Sequence, residues 1–396
     1  AVAQVGLAQE ETSATLYGYV RGEFAFDSRQ VVAAREGNYI DLASPVNKVN
    51  GKDLNANPNF NGWGVESRLG VKIAGPEFFG MKSEALIESH FFGSSDASIN
   101  TLALRHAYVK LSSDKVEWLV GQFWHPMFVT NVSPKTYNFN AGSPFQPFNR
   151  SPQIRFSTKG NARLTLAAIT ERDFASVGGK ANLSALPAFH AQLQFGNDDK
   201  FVGGFGANYK SLKSGLRGEY FGAFTFLAYA KAKLGQNSAW QIYADYGQNP
   251  SELLQLGGVA VDAKGKYKSN NTLALWTEFY GDFTPSFEWG IFGGYSKDFG
   301  FSKNTTPSAT KFGQMADIIN PLTGKVEGQY LAGTPISTWR VSPRVGWKSG
   351  NTKLTAELDY TSTTYGAWDT NLKTKKYAQD ATAGNFRVSL SLIQNF

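Results

Sequence analysis

Short amphipathic segments with a repeat of two residues recur along the whole chain, and they limit the fold more than any other feature. In residues 351–361 apolar and charged side chains alternate, with Leu354, Ala356, Leu358 and Tyr360 set against Lys353, Glu357 and Asp359. Successive side chains of a β-strand point to opposite faces, whereas a helix would need a repeat of 3.6 residues. The pattern therefore predicts strands with one apolar face and one polar face.

We predict sixteen such strands, an even number, and the connections between them alternate in length. The predicted strands are residues 15–25, 61–74, 80–93, 101–111, 115–124, 150–158, 160–170, 186–196, 199–209, 220–234, 238–247, 268–280, 285–296, 336–347, 351–361 and 384–396. Every second connection is a tight turn rich in Gly, Asp and Asn, such as KG, ND or KSGN. The intervening connections are mostly long, including 26–60, 125–149, 171–185, 248–267, 297–335 and 362–383. Short turns at one end and long loops at the other are typical of an antiparallel up-and-down transmembrane β-barrel.

The apolar content of the chain fits strands in a membrane better than helices. The longest run of apolar or small residues, Phe221–Ala230, is far shorter than the roughly 18–20 residues of a spanning helix. Lipid offers no partner to backbone N–H and C=O groups, so a sheet in a membrane must close on itself. Aromatic residues make up 14% of the chain although its mean hydropathy is only -0.30. Tyr and Trp near the strand ends suit interfacial belts: Tyr17, Tyr19, Trp63, Trp118, Trp124, Trp289, Tyr295, Trp339 and Trp347.

The domain organisation that follows is a single all-β transmembrane barrel over residues 15–396, preceded by a short periplasmic segment over 1–14. The chain starts at Ala1 without a basic or long apolar leader, so we expect a mature protein of the bacterial outer membrane whose signal peptide has been removed. Cysteine is absent, which excludes disulfides and thiolate metal sites. The net charge of +7 is dispersed singly along the strands, which argues against a nucleic-acid partner.

The final segment, FRVSLSLIQNF, is an amphipathic strand that ends on an aromatic residue. Phe386, Val388, Leu390, Leu392 and Phe396 share its apolar face. A last strand of this kind resembles the signal read by the barrel-assembly machinery of Gram-negative bacteria. We therefore expect Phe396 to act in assembly.

Three stretches resemble bacterial outer-membrane porins. TLYGYVRGEFAFDS at 15–28 and LRHAYVKL with WLVGQFWHPMF within 104–128 are similar to the DcaP-like porin family, and PFQPFNRSPQIRF at 144–156 resembles porins of Bacteroidota. The resemblance covers essentially the whole chain. It implies a homotrimer of sixteen-stranded channels, each with one loop folded into the lumen.

Sixteen strands leave an aqueous lumen, so the candidate site is the pore itself. The polar face of each strand supplies the candidate lining residues, with two more from a loop: Arg21, Glu23, Arg68, Glu84, Glu88, Arg105, His125, Lys135, Arg155, Arg163, Arg340, Arg344 and Arg387. Charges at a low-dielectric constriction concentrate solutes of the opposite sign. The alternative is that each arginine pairs with a wall carboxylate for stability, namely Glu66, Glu84, Glu88, Glu357 or Asp359.

The connection 125–149 follows the fifth strand, where it resembles the constriction loop of porins, and it contains no acidic residue. Its only ionisable groups are His125 and Lys135, while Pro144, Phe145, Pro147 and Phe148 suit a stiff loop. With the arginines and the positive net charge, this predicts a passive diffusion channel for small hydrophilic solutes that prefers anions. A substrate-specific channel for small carboxylates is the main alternative, followed by a plugged structural or adhesin barrel.

Enzymatic and cofactor chemistry find no support in the motifs. His90, His106, His125 and His190 show no metal-ligand spacing, and no catalytic serine or phosphate-binding motif is present, so we predict no catalytic residue, no metal and no cofactor. An outer-membrane hydrolase stays a minor alternative. Calcium held by loop carboxylates has no motif behind it, and its candidates would be Asp262, Asp317, Asp369 and Asp380. The expected partners are membrane lipid, lipopolysaccharide and small solutes.

Overall fold

A computed structural model describes residues 12–139, 142–262, 264–301, 305–311, 334–368 and 377–396. Among these residues a single antiparallel sheet closes on itself, and its sixteen wall positions are numbered β1–β16 here. Position β2 consists of two segments that both pair with β1. The strands are β1 Ser13–Asp27, β2 Asn59–Trp63 with Arg68–Phe78, β3 Met81–His90, β4 Ala103–Ser112, β5 Val116–Trp124, β6 Arg150–Thr158, β7 Ala162–Ile169, β8 Ala188–Asn197, β9 Phe201–Lys213, β10 Tyr220–Lys233, β11 Ser238–Gln248, β12 Asn271–Thr284, β13 Phe287–Gly300, β14 Thr334–Ser349, β15 Thr352–Trp368 and β16 Tyr377–Asn395. The predicted all-β transmembrane barrel of sixteen strands is confirmed.

The barrel closes where β16 pairs with β1. The register runs from Tyr19 opposite Asn395 to Asp27 opposite Arg387. Beyond the last rung, the backbone N–H of Phe396 donates to the carbonyl of Gly18 at 3.1 Å, and the N–H of Gly18 donates back at 3.2 Å. The wall therefore has no free strand edge at this position, as a sheet in lipid requires.

The predicted alternation of short turns and long loops is also found. Tight connections such as residues 79–80, 159–161 and 350–351 lie at one end of the barrel, which we call the turn end. The opposite loop end includes small sheets of its own, among them Gly257–Asp262 with Tyr267–Ser269 and Thr305–Lys311. The connection predicted at 362–383 is shorter than expected, because the ladder between β15 and β16 continues to Trp368 opposite Tyr377. No helix in the described ranges is long and apolar enough to cross a membrane.

The predicted aromatic belts are only partly right. Trp118, Trp289, Tyr295, Trp339 and Trp347 lie on the outer face. Tyr17, Tyr19, Trp63 and Trp124 point into the lumen, where they contact Glu88, Glu66, Arg387 and Arg105 respectively. For Trp63 the physical reason is the break between the two segments of β2. The break shifts the inward and outward alternation by one residue, so Trp63 faces inward while Leu69 faces outward.

The predicted inward loop is confirmed. Residues 125–139 leave β5, enter the barrel and reach the wall on the far side, and residues 142–149 lead from that wall to β6. Apolar residues of the loop pack against inward side chains of β9 to β13: Met127, Val129, Val132 and Phe145 form one cluster with Val202, Leu227, Tyr229, Tyr243, Trp276 and Phe292. This side of the lumen is therefore an apolar core covered by the loop, and the arginine-rich inner wall lies mainly on β1 to β7.

Candidate functional site in the barrel lumen

Inward arginines near the start of the chain are paired with inward carboxylates. The Arg21 guanidinium lies 3.0 Å from a carboxylate oxygen of Glu23 and also pairs with Glu66. Arg105, only 1% exposed, donates from Nε to Glu88 at 2.6 Å. The alternative that each arginine pairs with a wall carboxylate for stability thus holds for this part of the wall, since a buried charge needs a partner.

Carboxylates of the far wall hold the tip of the inward loop through its backbone. Glu278 of β12 accepts the N–H of Lys135 at 3.0 and 3.1 Å to its two oxygens. Glu357 of β15 accepts the N–H of Tyr137 at 2.5 Å and that of Asn138 at 3.2 Å. Because these acids are engaged with peptide groups of the loop, part of their charge is neutralised by donors instead of facing the solvent.

Side chains of β1, β12 and β14 complete the anchor. Arg340 donates to the carbonyl of Ser143 at 2.7 Å, and Trp276 donates from Nε1 to Gln146 at 2.7 Å. Arg21 donates to the carbonyl of Tyr137 at 2.6 Å. The loop is therefore held at several points along its length, and its position is set by the wall.

A glycine of the wall makes room for the loop. Gly294 of β13 lies under the ring of Phe145, and a Cβ built on Gly294 would lie 2.3 Å from that ring. Phe145 is fully buried there and lies 6.1 Å from the ring of Phe292. Any larger residue at position 294 would push the loop away from the wall.

One lumenal cavity lies between the loop and the turn end, and its lining is mostly cationic. Its volume is about 650 Å³. Two acids line it, Asp282 and Glu288. Six basic residues line it, namely Lys135, Lys231, Lys233, Arg344, Lys348 and Lys353. Several of these pair with acids, including Arg344 with Glu278 at 2.7 Å, but Lys135 and Lys233 have no salt bridge to any described residue.

Two further cavities also have more basic than acidic lining residues. One of about 200 Å³ at the turn end is lined by Arg155, Arg163 and Asp198. Arg155 donates to Gln153 and to the Trp124 carbonyl and has no salt bridge within the described ranges. The other, about 330 Å³ at the loop end, is lined by Arg35, Arg150, Arg172 and Asp173 together with aromatic rings. Positive lining thus occurs on both sides of the loop.

A buried ionic cluster at the loop end ties two long connections to the wall. Lys210 of β9 donates to the carbonyl of Asn249 at 2.6 Å and to Ser176 Oγ at 2.7 Å, and it pairs with Glu252. Ser176 Oγ also donates to Glu171 at 2.5 Å. Burial, and next the nearby Glu252 carboxylate, raise the pKa of Glu171. The cluster holds more carboxylate than it can neutralise with one lysine.

The remaining predicted lining residues occupy different environments. Arg387 is fully buried and donates to Asp27 at 2.6 and 2.9 Å. Glu84 pairs with Lys110 near the turn end, Arg163 with Glu117 at 3.4 Å, and Arg68 lies 3.6 Å from Glu66.

His125, expected to line the pore, is packed at the base of the loop, where its Nδ1 accepts the N–H of Met127 at 3.2 Å. Burial holds the pKa of His125 well below its usual range, so it adds no charge to the lumen near neutral pH.

Several residues of the site were missed at the level of sequence. Glu278 and Glu288 stand in predicted strands, and Glu278 shares its face with Trp276, but nothing local to them indicates that a loop from the far side of the barrel reaches them. Lys231 and Lys348 lie at or next to the ends of predicted strands, and no sequence motif around them indicates a place in the lumen. Of the calcium candidates, Asp262 caps its own turn by accepting the N–H groups of Lys264 and Lys266 at 2.9 Å, and the side chains of Asp317, Asp369 and Asp380 lie outside the described part of the chain.

Comparison with solved structures places this fold among outer-membrane channels. The outer membrane channel DcaP of Acinetobacter baumannii matches with a TM-score of 0.68 at 18% identity, over 97% of each chain. An anion-selective porin from Comamonas acidovorans matches with a TM-score of 0.57 at 11% identity, over 98% of this chain and 100% of that one. OmpF of Salmonella typhi gives 0.52 at 10% identity, over 97% of each chain. The sequence matches no protein-family model and no curated protein. At these identities the likeness is one of fold, so the chain has the fold of outer-membrane porins.

Proposed function

We propose that this protein is a passive pore of the bacterial outer membrane that admits small hydrophilic solutes and prefers anions. The observation that carries the proposal is the charge of the lumen: the 650 Å³ cavity beside the inward loop is lined by six basic and two acidic residues. In a narrow space with low-dielectric walls, such an excess raises the local concentration of anions and lowers that of cations.

The two faces of the wall support a membrane pore. Outward positions carry large apolar side chains that are exposed on the isolated barrel, for example Phe24, Phe226, Val345 and Leu390. Inward positions carry polar and charged groups that hydrogen-bond to one another or line cavities. This arrangement suits lipid outside and water inside, and the reverse arrangement would suit neither.

The hydrogen bonds between wall carboxylates and the inward loop support a preference for anions over cations. Glu278 and Glu357 are turned toward peptide N–H groups of the loop, whereas Lys135, Lys233 and Arg155 lie at cavities without a salt bridge to any described residue. An anion entering from the turn end therefore meets cations whose charge is less compensated than that of the carboxylates. The anion selectivity of the Comamonas acidovorans porin, which shares the fold, agrees with this proposal.

The test is the reversal potential of the purified protein in planar bilayers under a KCl gradient. We expect stable channels whose reversal potential shows a higher permeability for chloride than for potassium. A cation preference would overturn the proposed selectivity. The absence of any conductance from correctly folded protein, verified by heat-modifiable gel mobility, would overturn the pore and favour a plugged structural barrel.

A saturable site for small carboxylates is the second candidate, favoured by the 200 Å³ cavity with its two guanidiniums, Arg155 and Arg163. Planar guanidinium groups bind carboxylates through paired hydrogen bonds. Concentration-dependent block of the single-channel current by succinate, with saturation, would support it. A current that succinate leaves unchanged would favour general diffusion.

The further features of the proposal concern assembly and location. We infer a homotrimer, because a solved outer membrane protein with this fold, OmpT of Vibrio cholerae, is described in a trimer form. We also infer that the last strand and Phe396 are read by the barrel-assembly machinery, and that lipid and lipopolysaccharide surround the barrel. We propose no enzymatic activity for this chain.

A further inference from the structure

A cavity at the loop end lies on the outside of the barrel, away from the lumen. Its volume is about 670 Å³. Its lower part is formed by outward residues of β10, β11 and β13, namely Tyr220, Tyr246 and Phe299, which are 54%, 50% and 45% exposed. Its upper part is formed by the strand Tyr267–Ser269 of the loop-end sheet. We call this cavity the rim groove.

The rim groove has two chemical layers. The lower layer is aromatic, with the rings of Tyr246 and Phe299 lying 6.2 Å apart. The upper layer is cationic, because Lys266 and Lys268 line the groove from above. Lys297 is exposed two residues before Phe299 on β13, on the membrane side of the groove, and its Nζ lies 5.3 Å from the centre of the Phe299 ring.

Two acids lie near the groove lysines, since Glu219 lines the groove and the Asp262 carboxylate interacts electrostatically with Lys266 and Lys268. Lys266, Lys268 and Lys297 form no salt bridge to any residue within the described ranges, and Glu219 is the acid among the lining residues. Two ammonium groups without a salt bridge to the described residues therefore stand above outward aromatic rings, an arrangement that suits a ligand with an anionic head and an apolar body.

We propose that the rim groove binds a phosphate-bearing amphiphile of the outer leaflet, with the phosphate on Lys266 and Lys268 and the upper part of an acyl chain against Tyr246 and Phe299. This rests on the proposed outer-membrane location, where the loop end faces the outside and the barrel exterior meets lipid. Charge complementarity and the order of the layers favour this occupant, because Lys266 and Lys268 stand where the wall leaves the membrane and the rings of Tyr246 and Phe299 stand below them. Tyrosine and other aromatic residues favour this boundary, and lysines there attract anionic headgroups.

A free phosphate ion shares the headgroup chemistry but offers nothing to the aromatic layer. It would engage the lysines alone, and two exposed lysines hold a small anion only weakly in water. The amphiphile gains from both layers at once. The two sources can therefore be separated by comparing the lipid with inorganic phosphate.

The experiment measures binding of bisphosphorylated lipid A to the full-length protein in a neutral detergent, by native mass spectrometry or by a fluorescence titration. The variant is Lys266→Gln with Lys268→Gln, and the matched control is Lys48→Gln with Lys52→Gln, which removes two exposed lysines from another loop-end hairpin. We expect the first pair to weaken binding about 30-fold, since each lysine near an anionic surface contributes about fivefold. We expect the control pair to change binding less than twofold.

Two further arms test the chemistry. Lipid A without its phosphates should bind wild-type protein as weakly as bisphosphorylated lipid A binds the variant. Equal binding of wild-type and variant protein, an equal loss in the control pair, or half-saturation by inorganic phosphate at the concentration of the lipid would each overturn the proposal. Channel conductance, measured on the same samples, reports separately on the proposed pore, because none of these lysines lines a lumenal cavity.

Discussion

Replacing Glu278 by glutamine should release the inward loop from the far wall. The carboxylate of Glu278 is fully buried, accepts the Lys135 N–H at 3.0 and 3.1 Å and pairs with Arg344 at 2.7 Å. Glutamine keeps the volume but removes the charge, so Arg344 loses its buried partner. Removing one member of such a pair costs about 3 kcal/mol. Undocking of the loop recovers much of that cost, because it lets water reach Arg344.

The expected consequence is a shift of about 100-fold in the equilibrium between docked and undocked loop, since each factor of ten corresponds to about 1.4 kcal/mol. Single-channel recording should show a larger mean conductance and more current noise for Glu278→Gln than for wild type. The control is Asp199→Asn, which removes one negative charge from the exposed turn between β8 and β9. Wild-type conductance and noise in a correctly folded Glu278→Gln barrel would refute the role given to this carboxylate.

Three further predictions follow from the same geometry. Lys135→Glu with Lys233→Glu should move the reversal potential in a KCl gradient toward cations, whereas the same changes at Lys48 and Lys52, which line no lumenal cavity, should leave it in place. Gly294→Leu should lower stability by about 1–3 kcal/mol through its clash with Phe145 and reduce the unfolding temperature seen by gel mobility, while Gly293→Leu, whose Cβ would meet no atom within 4 Å, should have little effect. Glu171→Gln should remove a pH dependence: because the folded protein raises the pKa of Glu171, its contribution to stability is complete below the ordinary value of 4.5 and is lost as the pH rises through the raised value. Wild-type loops should therefore become more sensitive to protease as the pH increases, and equal sensitivity of wild type and variant at all pH values would contradict this.

The strands could be predicted from sequence because each inward or outward position is decided locally by water or lipid. Leu354 and Glu357 reveal their faces without knowledge of any distant residue, and in the structure Leu354 is exposed on the outer face while Glu357 is buried on the inner face. Trp63 was assigned to the wrong face because the break before Arg68 is a change of backbone path that residue type does not report.

The site could be predicted only in part. The inward loop was identified through its resemblance to the constriction loop that follows the fifth strand of porins, and Arg21, Arg105 and Arg344 do point into the lumen. What each charge does there depends on contacts between residues far apart in sequence, such as Tyr137 with Glu357, 220 positions away. No local pattern distinguishes an acid that anchors a loop from an acid that faces solvent.

The pairing of β1 with β16 has a consequence for how the protein is made. Asp27 and Arg387, which meet across that pairing, are 360 positions apart. The backbone N–H and C=O groups along one side of β1 therefore have no partner until β16, the last strand, has been made. Bringing such distant partners together is slow, and an open strand edge readily joins the wrong neighbour in the meantime. Shielding of that edge until the last strand arrives should therefore favour correct closure of this barrel.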